Sequence, residues 1–467
     1  MEAINWMEEV KKRERDILEE TKRFLQIKSV LDESIKEDEP FGEGVAKALH
    51  FLLDKGHADG FATKNVDGYA GHIELGEGKE LIGVLCHVDV VPEGDGWSVD
   101  PYGGEIKDGK IFARGAIDDK GPTMAAYYAM KIVKELKLPL SKRVRMIIGT
   151  DEESDWRCVD HYFKHEEMPT MGFAPDADFP IIYAEKGITD VELHQQPIQG
   201  TDGEYVLISL ESGRRYNMVP DYAKAVLAVK EEVDLKKAYE NFLNKHDVKG
   251  TVEFNNSRYT LTLEGVSAHG SVPQKGKNAG LLLVSFLHEL ALNEQARQFI
   301  TYVNQYFVDD TIGNKIGLHV RDDVTGDLTV NVGILFYTDE KAGQIGLNIR
   351  YPVAANIDSI ISTLKKQSET YQITVKHFSD SKPHHVDKNH ELIKTLQQVY
   401  QDQTGEEPTL ISIGGGTYAR ALEAGVAFGP LFPGREEVAH EKDEYMVVED
   451  LMKATAIYAQ AIYELAK

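Results

Sequence analysis

Cysteine is nearly absent: two thiols, Cys86 and Cys158, in 467 residues. That number excludes a disulfide framework and fits a reducing compartment. Positive charge is also scarce, with 52 Lys and Arg against 77 Asp and Glu and a formal net charge of −25. No basic cluster breaks this balance, so neither nucleic acid nor an anionic membrane is an expected partner. No apolar run approaches the roughly 18 residues of a membrane span. The opening MEAINWMEEVKKRERDILEE lacks the apolar core of a signal peptide and reads as an amphipathic helix. The expected location is the cytoplasm.

What is present is enough apolar residue for packed cores, 42% of the chain, in a sequence too long for a single one. Helices are expected at about 5–27 and 42–56, followed by alternating strand and helix patterns from 67 to 186. From about 187 the texture changes to short alternating strands, in ITDVELHQQ, EYVLISLE and DYAKAVLAVK, with helices at 235–245 and 281–291. A second strand–helix–strand set occupies roughly 327–378, and SKPHHVDKNH reads as a return linker. The tail is again α/β, with a glycine-rich turn at ISIGGGTYAR and a last helix from Val448. The expected architecture is an α/β catalytic domain with a mixed, mostly parallel sheet flanked by helices (1–186 and 382–467), interrupted by an α+β lid at 187–381.

The most informative stretch is LIGVLCHVDVVPEGDGW, residues 81–97. Its apolar run reads as a buried parallel strand ending in His87 and Asp89, two positions apart and so on one face. A histidine that binds metal usually donates its other ring N–H to such a neighbour. ARGAIDDKG follows with Asp118 and Asp119 ahead of a helix at 122–136, then RVRMIIGTDEES with Glu152 and Glu153, FAPDADFP with Asp176, and VAHEKDEYM with His440. Taken singly, each carboxylate reads as a solvated loop residue, and the paired glutamates as charge favoured at a helix N-terminus. Together they recur where strands stop or helices start, the edge at which open α/β sheets build their sites.

Two imidazoles among carboxylates, with no thiol, select Zn, Mn or Co. Sites with two such ions about 3.5–4 Å apart share a bridging carboxylate and activate a water between them. A further carboxylate must then move the proton. Glu152 and Glu153 suit that split of work, one ligand and one general base.

In the order H-x-D, RGxxDDKG, EE, D and late H, the chain resembles the two-metal exopeptidase and deacylase family of carboxypeptidase G, aminoacylase, succinyl-diaminopimelate desuccinylase and carnosinase. Within it the chain is most similar to the bacterial dipeptidase V branch. The resemblance covers essentially the whole chain. It implies two divalent ions per chain, one held by His87 and Asp176 and the other by Glu153 and His440, with Asp118 bridging. Asp118 is preferred to Asp119 because the family's ligand falls three residues after the RG pair; Asp119 would cap or support. The resemblance makes Asp89 the residue that orients His87, and Glu152 the general base. In the lid it implies that His269, in GVSAHGSVPQKGKNA, stabilises the oxyanion. Asn217, in RRYNMVP, and Arg350, in LNIRYP, would bind substrate, and Gly415 would bring its backbone N–H to a ligand carboxylate.

Asp at position 176 is similar to the aminopeptidase and dipeptidase members, whereas deacylases more often carry Glu. The long insert is similar to the branch whose lid supplies what a dimer partner supplies elsewhere, which implies a monomer. Two departures stand out: Ala113 where Gly is usual and Asp151 where Asn is common. The implied activity is hydrolysis of dipeptides with a free N-terminus. The competing expectations are an N-acyl amino acid deacylase of the same fold, a two-metal phosphoesterase and a non-catalytic metal-bound binding protein.

Overall fold

The computed structural model describes residues 4–34, 36–198, 203–230 and 234–467. The chain divides into two units, Met1–Ala184 with His385–Ser412 and Thr417–Lys467, and Glu185–His384 with Ile413–Gly416.

The first unit is organised by the strand Leu81–His87, in which every residue is buried. An unbroken aliphatic run is stable only where both faces of a sheet are covered. It pairs in parallel with Arg143–Gly149 on one side and Met171–Ala174 on the other. The sheet runs in the order Ala62–Val66, Ala70–Leu75, Arg143–Gly149, Leu81–His87, Met171–Ala174, Gly425–Ala427, Ile181–Glu185. Parallel pairing holds for the four strands from Arg143–Gly149 to Gly425–Ala427, and antiparallel strands flank them. The sheet is therefore mixed, with the parallel part narrower than the sequence pattern implied. Helices Lys120–Glu135 and Val448–Ala466 pack on each other and on the central strand. Both are buried on nearly all sides, as expected of core helices rather than amphipathic surface ones.

The helix expected over 5–27 is two helices, Trp6–Lys11 and Glu14–Leu25. At the break the Arg13 amide bonds to the Val10 carbonyl, and the Arg13 guanidinium takes the Glu9 carbonyl that a continuous helix would have used. A side chain competing for a main-chain acceptor interrupts the ladder.

The second unit is built on an eight-stranded antiparallel sheet: Lys249–Asn255, Arg258–Glu264, Tyr222–Val229, Tyr205–Ser212, Thr329–Thr338, Ala342–Tyr351, Gly187–Gln195, Ile373–Phe378. The two strand–helix–strand halves join where Ser209–Ser212 pairs with Leu335–Thr338. A helix at Glu294–Phe307, for which the sequence pattern gave no expectation, buries Ala296, Phe299, Ile300, Val303 and Phe307 at helical spacing. Among the described residues no helix is long and apolar enough to cross a membrane.

Candidate dinuclear metal centre

Three parallel strands end side by side, and the residues after them converge. His87 closes its own strand, Glu152 and Glu153 follow Arg143–Gly149, and Asp176 follows Met171–Ala174. Asp118 comes from the turn ahead of the helix Lys120–Glu135, and His440 from a loop where its backbone is left-handed, φ 65°. The six side chains form overlapping groups, His87–Asp118–Asp176, His87–Glu152–Glu153 and Asp118–Glu153–His440, whose ligand atoms within each group lie within 4.8 Å of one another.

Asp118 joins the groups. Its Oδ1 lies 3.0 Å from His87 Nε2 and its Oδ2 lies 3.0 Å from His440 Nε2. His440 Nε2 is also 3.0 Å from Glu153 Oε1. Asp176 and Glu152 approach His87 Nε2 at 3.5 and 3.8 Å. On the far side of its ring, His87 Nδ1 lies 3.0 Å from the Asp89 main-chain oxygen. A carbonyl only accepts, so Nδ1 carries a hydrogen, and Nε2 is the atom that faces the cluster and could ligate once its own proton is displaced.

The Asp89 carboxylate has a second set of contacts besides the His87 ring. It lies 3.3 Å from His87 Nδ1 but also accepts the amides of Glu152 and Glu153 at 3.2 and 3.0 Å. Asp89 thus holds the His87 ring and the Glu152–Glu153 turn together. Asp119 makes no side-chain cap to its helix. Its Oδ2 accepts the His87 amide at 3.1 Å and the Thr123 hydroxyl at 3.2 Å, a supporting role. Asp151 accepts the Arg157 amide at 3.0 Å, at the first residue of the helix Arg157–His165, and takes the Arg157 guanidinium at 2.8 and 3.1 Å.

The charge balance favours cations. Burial, the largest influence, pushes Asp176 up to about 7 and holds Glu152 well above the ordinary carboxylate range. Burial also opposes ionisation of Asp118, but hydrogen bonds from His440 and His87 outweigh it and lower its pKa. Bonds to Asp118 and Glu153 raise His440 to about 11. Four carboxylates clustered around two imidazoles in a buried setting are short of positive charge. Divalent ions fit this donor set of imidazole nitrogens and carboxylate oxygens, and would displace the protons the histidines otherwise hold.

Sequence reasoning missed Glu444. It is fully buried, and its Oε2 accepts Arg114 Nη1 at 2.7 Å and the Gly115 amide at 3.0 Å. Its Oε1 accepts the amides of Ile117 and Asp118 at 3.0 and 3.1 Å. Arg114 also donates to the main-chain oxygens of Glu441 and His440 at 3.2 and 3.4 Å. Four residues after His440, Glu444 carried no signal that set it apart from other surface glutamates. Gly115 has φ +88°, and a Cβ there would lie 2.9 Å from Val90 Cγ1, so the RG turn needs glycine.

The expected substrate contacts lie in the second unit. The Gly270 amide donates to the Asn217 carbonyl at 2.7 Å, and Met218 pairs with His269 in an antiparallel bridge. A Cβ on Gly270 would sit 2.9 Å from Asn217 Cα, so glycine permits this approach. Asn331 donates to the carbonyls of Tyr216 and Met218 at 2.7 and 2.9 Å, pinning the same segment. His269 Nδ1 receives the Ser271 amide at 3.2 Å. An amide only donates, so the neutral ring carries its hydrogen on Nε2. Burial, then the Arg350 charge, lowers the His269 pKa and keeps the ring neutral. Arg350 is 5% exposed; its Nε donates to Asn348 Oδ1 at 2.8 Å and its Nη1 to the Gly414 carbonyl at 3.1 Å. Around Gly415 a Cβ would meet only Ile413, at 4.0 Å, so the backbone there is open to a neighbour.

The profile of Peptidase family M20/M25/M40 matches residues 83–464. The chain belongs to this family of peptidases. It is 55% identical, over 467 residues, to a Bacillus subtilis (strain 168) protein named "Putative dipeptidase YtjP", covering 99% of this chain and 100% of that one. It is 46% identical over 464 residues to a Staphylococcus epidermidis (strain ATCC 12228 / FDA PCI 1200) protein named "Putative dipeptidase", covering 98% and 99%. Its fold is similar to that of human carnosine dipeptidase 1 (14% identity, 98% of each chain, TM-score 0.56). It is also similar to that of aminoacylhistidine dipeptidase from Vibrio alginolyticus (13%, 95% and 96%, TM-score 0.58). Family and fold agree with the resemblance read from the motifs. The chain is a metallopeptidase of this family.

Proposed function

We propose that this metallopeptidase is a dipeptidase, cleaving small dipeptides with a free N-terminus at a centre of two divalent ions. The observation that carries the reading is the double reach of Asp118, whose two oxygens each face one imidazole at 3.0 Å. One carboxylate shared by two ligand groups is what a dinuclear centre requires. The names of the two relatives support the substrate class.

In this reading His87 and Asp176 would hold one ion and Glu153 and His440 the other, with Asp118 shared between them; Zn or Mn suits the donors, with Co a further option. When bound, such ions polarise a carbonyl and lower the pKa of water. Glu152 acts as the general base, taking the proton from water and handing it to the leaving amine. Its burial suits a group that must hold a proton in mid-reaction. His269 donates its Nε2–H to the oxyanion. Asn217, Arg350 and Gly415 bind the substrate ends, and the bonds to Asn348 and Gly414 fix the plane of the Arg350 fork for a carboxylate. The chain acts as a monomer, and its two buried, unpaired thiols fit the reducing cytoplasm.

The test is hydrolysis of a plain dipeptide and its N-acetylated twin by chelator-stripped protein, with Mn and then Zn restored. Metal-dependent cleavage of the free dipeptide alone is expected. Cleavage of the acetylated twin would move the assignment to a deacylase.

A further inference from the structure

Away from the dinuclear centre, a second histidine cluster lies where the helix Arg157–His165 packs on the hairpin Ala62–Val66 and Ala70–Leu75. His161 and His165 are four residues apart, so they share one face of that helix. Asp67 stands in the hairpin turn with a left-handed backbone, φ 55°. One ligand atom from each of the three lies within 4.8 Å of the other two. His161 Nε2 is 2.9 Å from Asp67 Oδ2. We infer that Asp67, His161 and His165 form a separate site for a divalent cation of zinc-like preference, clipping this helix to the hairpin turn.

The rings are arranged for ligation. His165 Nδ1 lies 2.9 Å from the His161 main-chain oxygen. That carbonyl only accepts, so Nδ1 carries the hydrogen and Nε2 is left as the lone-pair donor. His161 stacks on Tyr69 with ring centroids 4.2 Å apart, which restrains its swing. The two imidazoles are 4.3 Å apart, centroid to centroid. A simple surface ion pair would need only His161 and Asp67; the second imidazole is what a borderline-soft cation adds. Two nitrogens and one carboxylate, with water completing the tetrahedron, are a normal zinc donor set. The i, i+4 histidine pair is the spacing by which a helix presents two such nitrogens to one ion.

The experiment is equilibrium dialysis of the full chain against Zn2+, followed by elemental analysis. Wild type should retain one more Zn2+ per chain than His165→Ala or the double variant His161→Gln, His165→Gln. Dipeptide turnover should be unchanged in both. His87→Ala, which disables the dinuclear centre, should keep the extra ion, so failure of one reading is separable from failure of the other. Equal Zn2+ retention by wild type and the two histidine variants would overturn the inference. As a second measurement independent of variant folding, crystals of wild type grown with Zn2+ should show anomalous density about 2 Å from the three side chains. Its absence there would overturn the inference equally.

Discussion

Arg114 and Glu444 form an ion pair of 2.7 Å in which both side chains are buried, 2% and 0% exposed. The pair connects the loop that carries Asp118 to the loop that carries His440. Glu444 accepts the Asp118 amide, while Arg114 donates to the His440 carbonyl. Segments 330 residues apart in sequence thereby bring Asp118 and His440 to one place. Buried ion pairs seldom add much net stability, but losing one partner leaves an uncompensated charge, at about 3–5 kcal/mol.

Glu444→Gln should therefore disturb the centre without touching a ligand. Its amide NH2 would face groups that only donate, the Arg114 fork or the backbone amides. Outer-shell changes of this kind cost roughly 10–100-fold in metal affinity or activity. Metal titration of the stripped variant should show weaker retention, with activity recovering in part at high metal. Wild-type affinity would show that the pair serves stability alone.

Glu152→Ala should separate chemistry from metal binding. Loss of a general base typically costs roughly 10²–10⁴-fold in rate, so kcat should fall by that order while metal content measured by elemental analysis stays at the wild-type value. Near-normal turnover would remove Glu152 from the role of base.

His72 predicts a pH-dependent stability. Burial, then the nearby Arg145 charge, lowers its pKa from 6.5 to about 4, and its Nδ1 lies 2.8 Å from the Tyr162 hydroxyl. Above pH 6.5 both folded and unfolded states hold it neutral. As pH falls from 6.5 to 4 only the unfolded state takes up the proton, so stability is lost across that window, by about 3 kcal/mol in all. The thermal midpoint of wild type should drop more between pH 7 and pH 5 than that of His72→Gln. Equal drops would mean His72 titrates alike in both states.

A single chain should be the active form. Light scattering on the metal-loaded enzyme should return a mass near 52.2 kDa. A dimer whose activity falls on dilution would contradict the proposal that the long insert replaces a partner.

Much of the cluster was legible because side chains able to hold a metal ion are of few residue types and here stand at strand and helix ends. His87, Asp118, Glu152, Glu153, Asp176 and His440 all belong to motifs that follow an apolar run or precede a helix. Asp89 was legible as a partner of His87, but its grip on the Glu152–Glu153 turn was not, because those two bonds join residues 63 and 64 positions apart. Glu444 escaped for the same reason: nothing local separates a buried glutamate from an exposed one.

The amino-acid order by itself determined which segments are strands or helices and which residue types stand at their ends, because backbone geometry and apolar periodicity act over a few residues. The pattern around Arg13 shows the limit, where one side chain took a main-chain acceptor and split a helix. Only the tertiary structure decided that Leu81–His87 lies between Arg143–Gly149 and Met171–Ala174, so that three turns open side by side. It alone decided that Asp118 faces two histidines from opposite ends of the chain, and that Arg114 finds Glu444. Those contacts join residues from 31 to 330 positions apart, and their strength comes from a shared burial that no local stretch of sequence encodes.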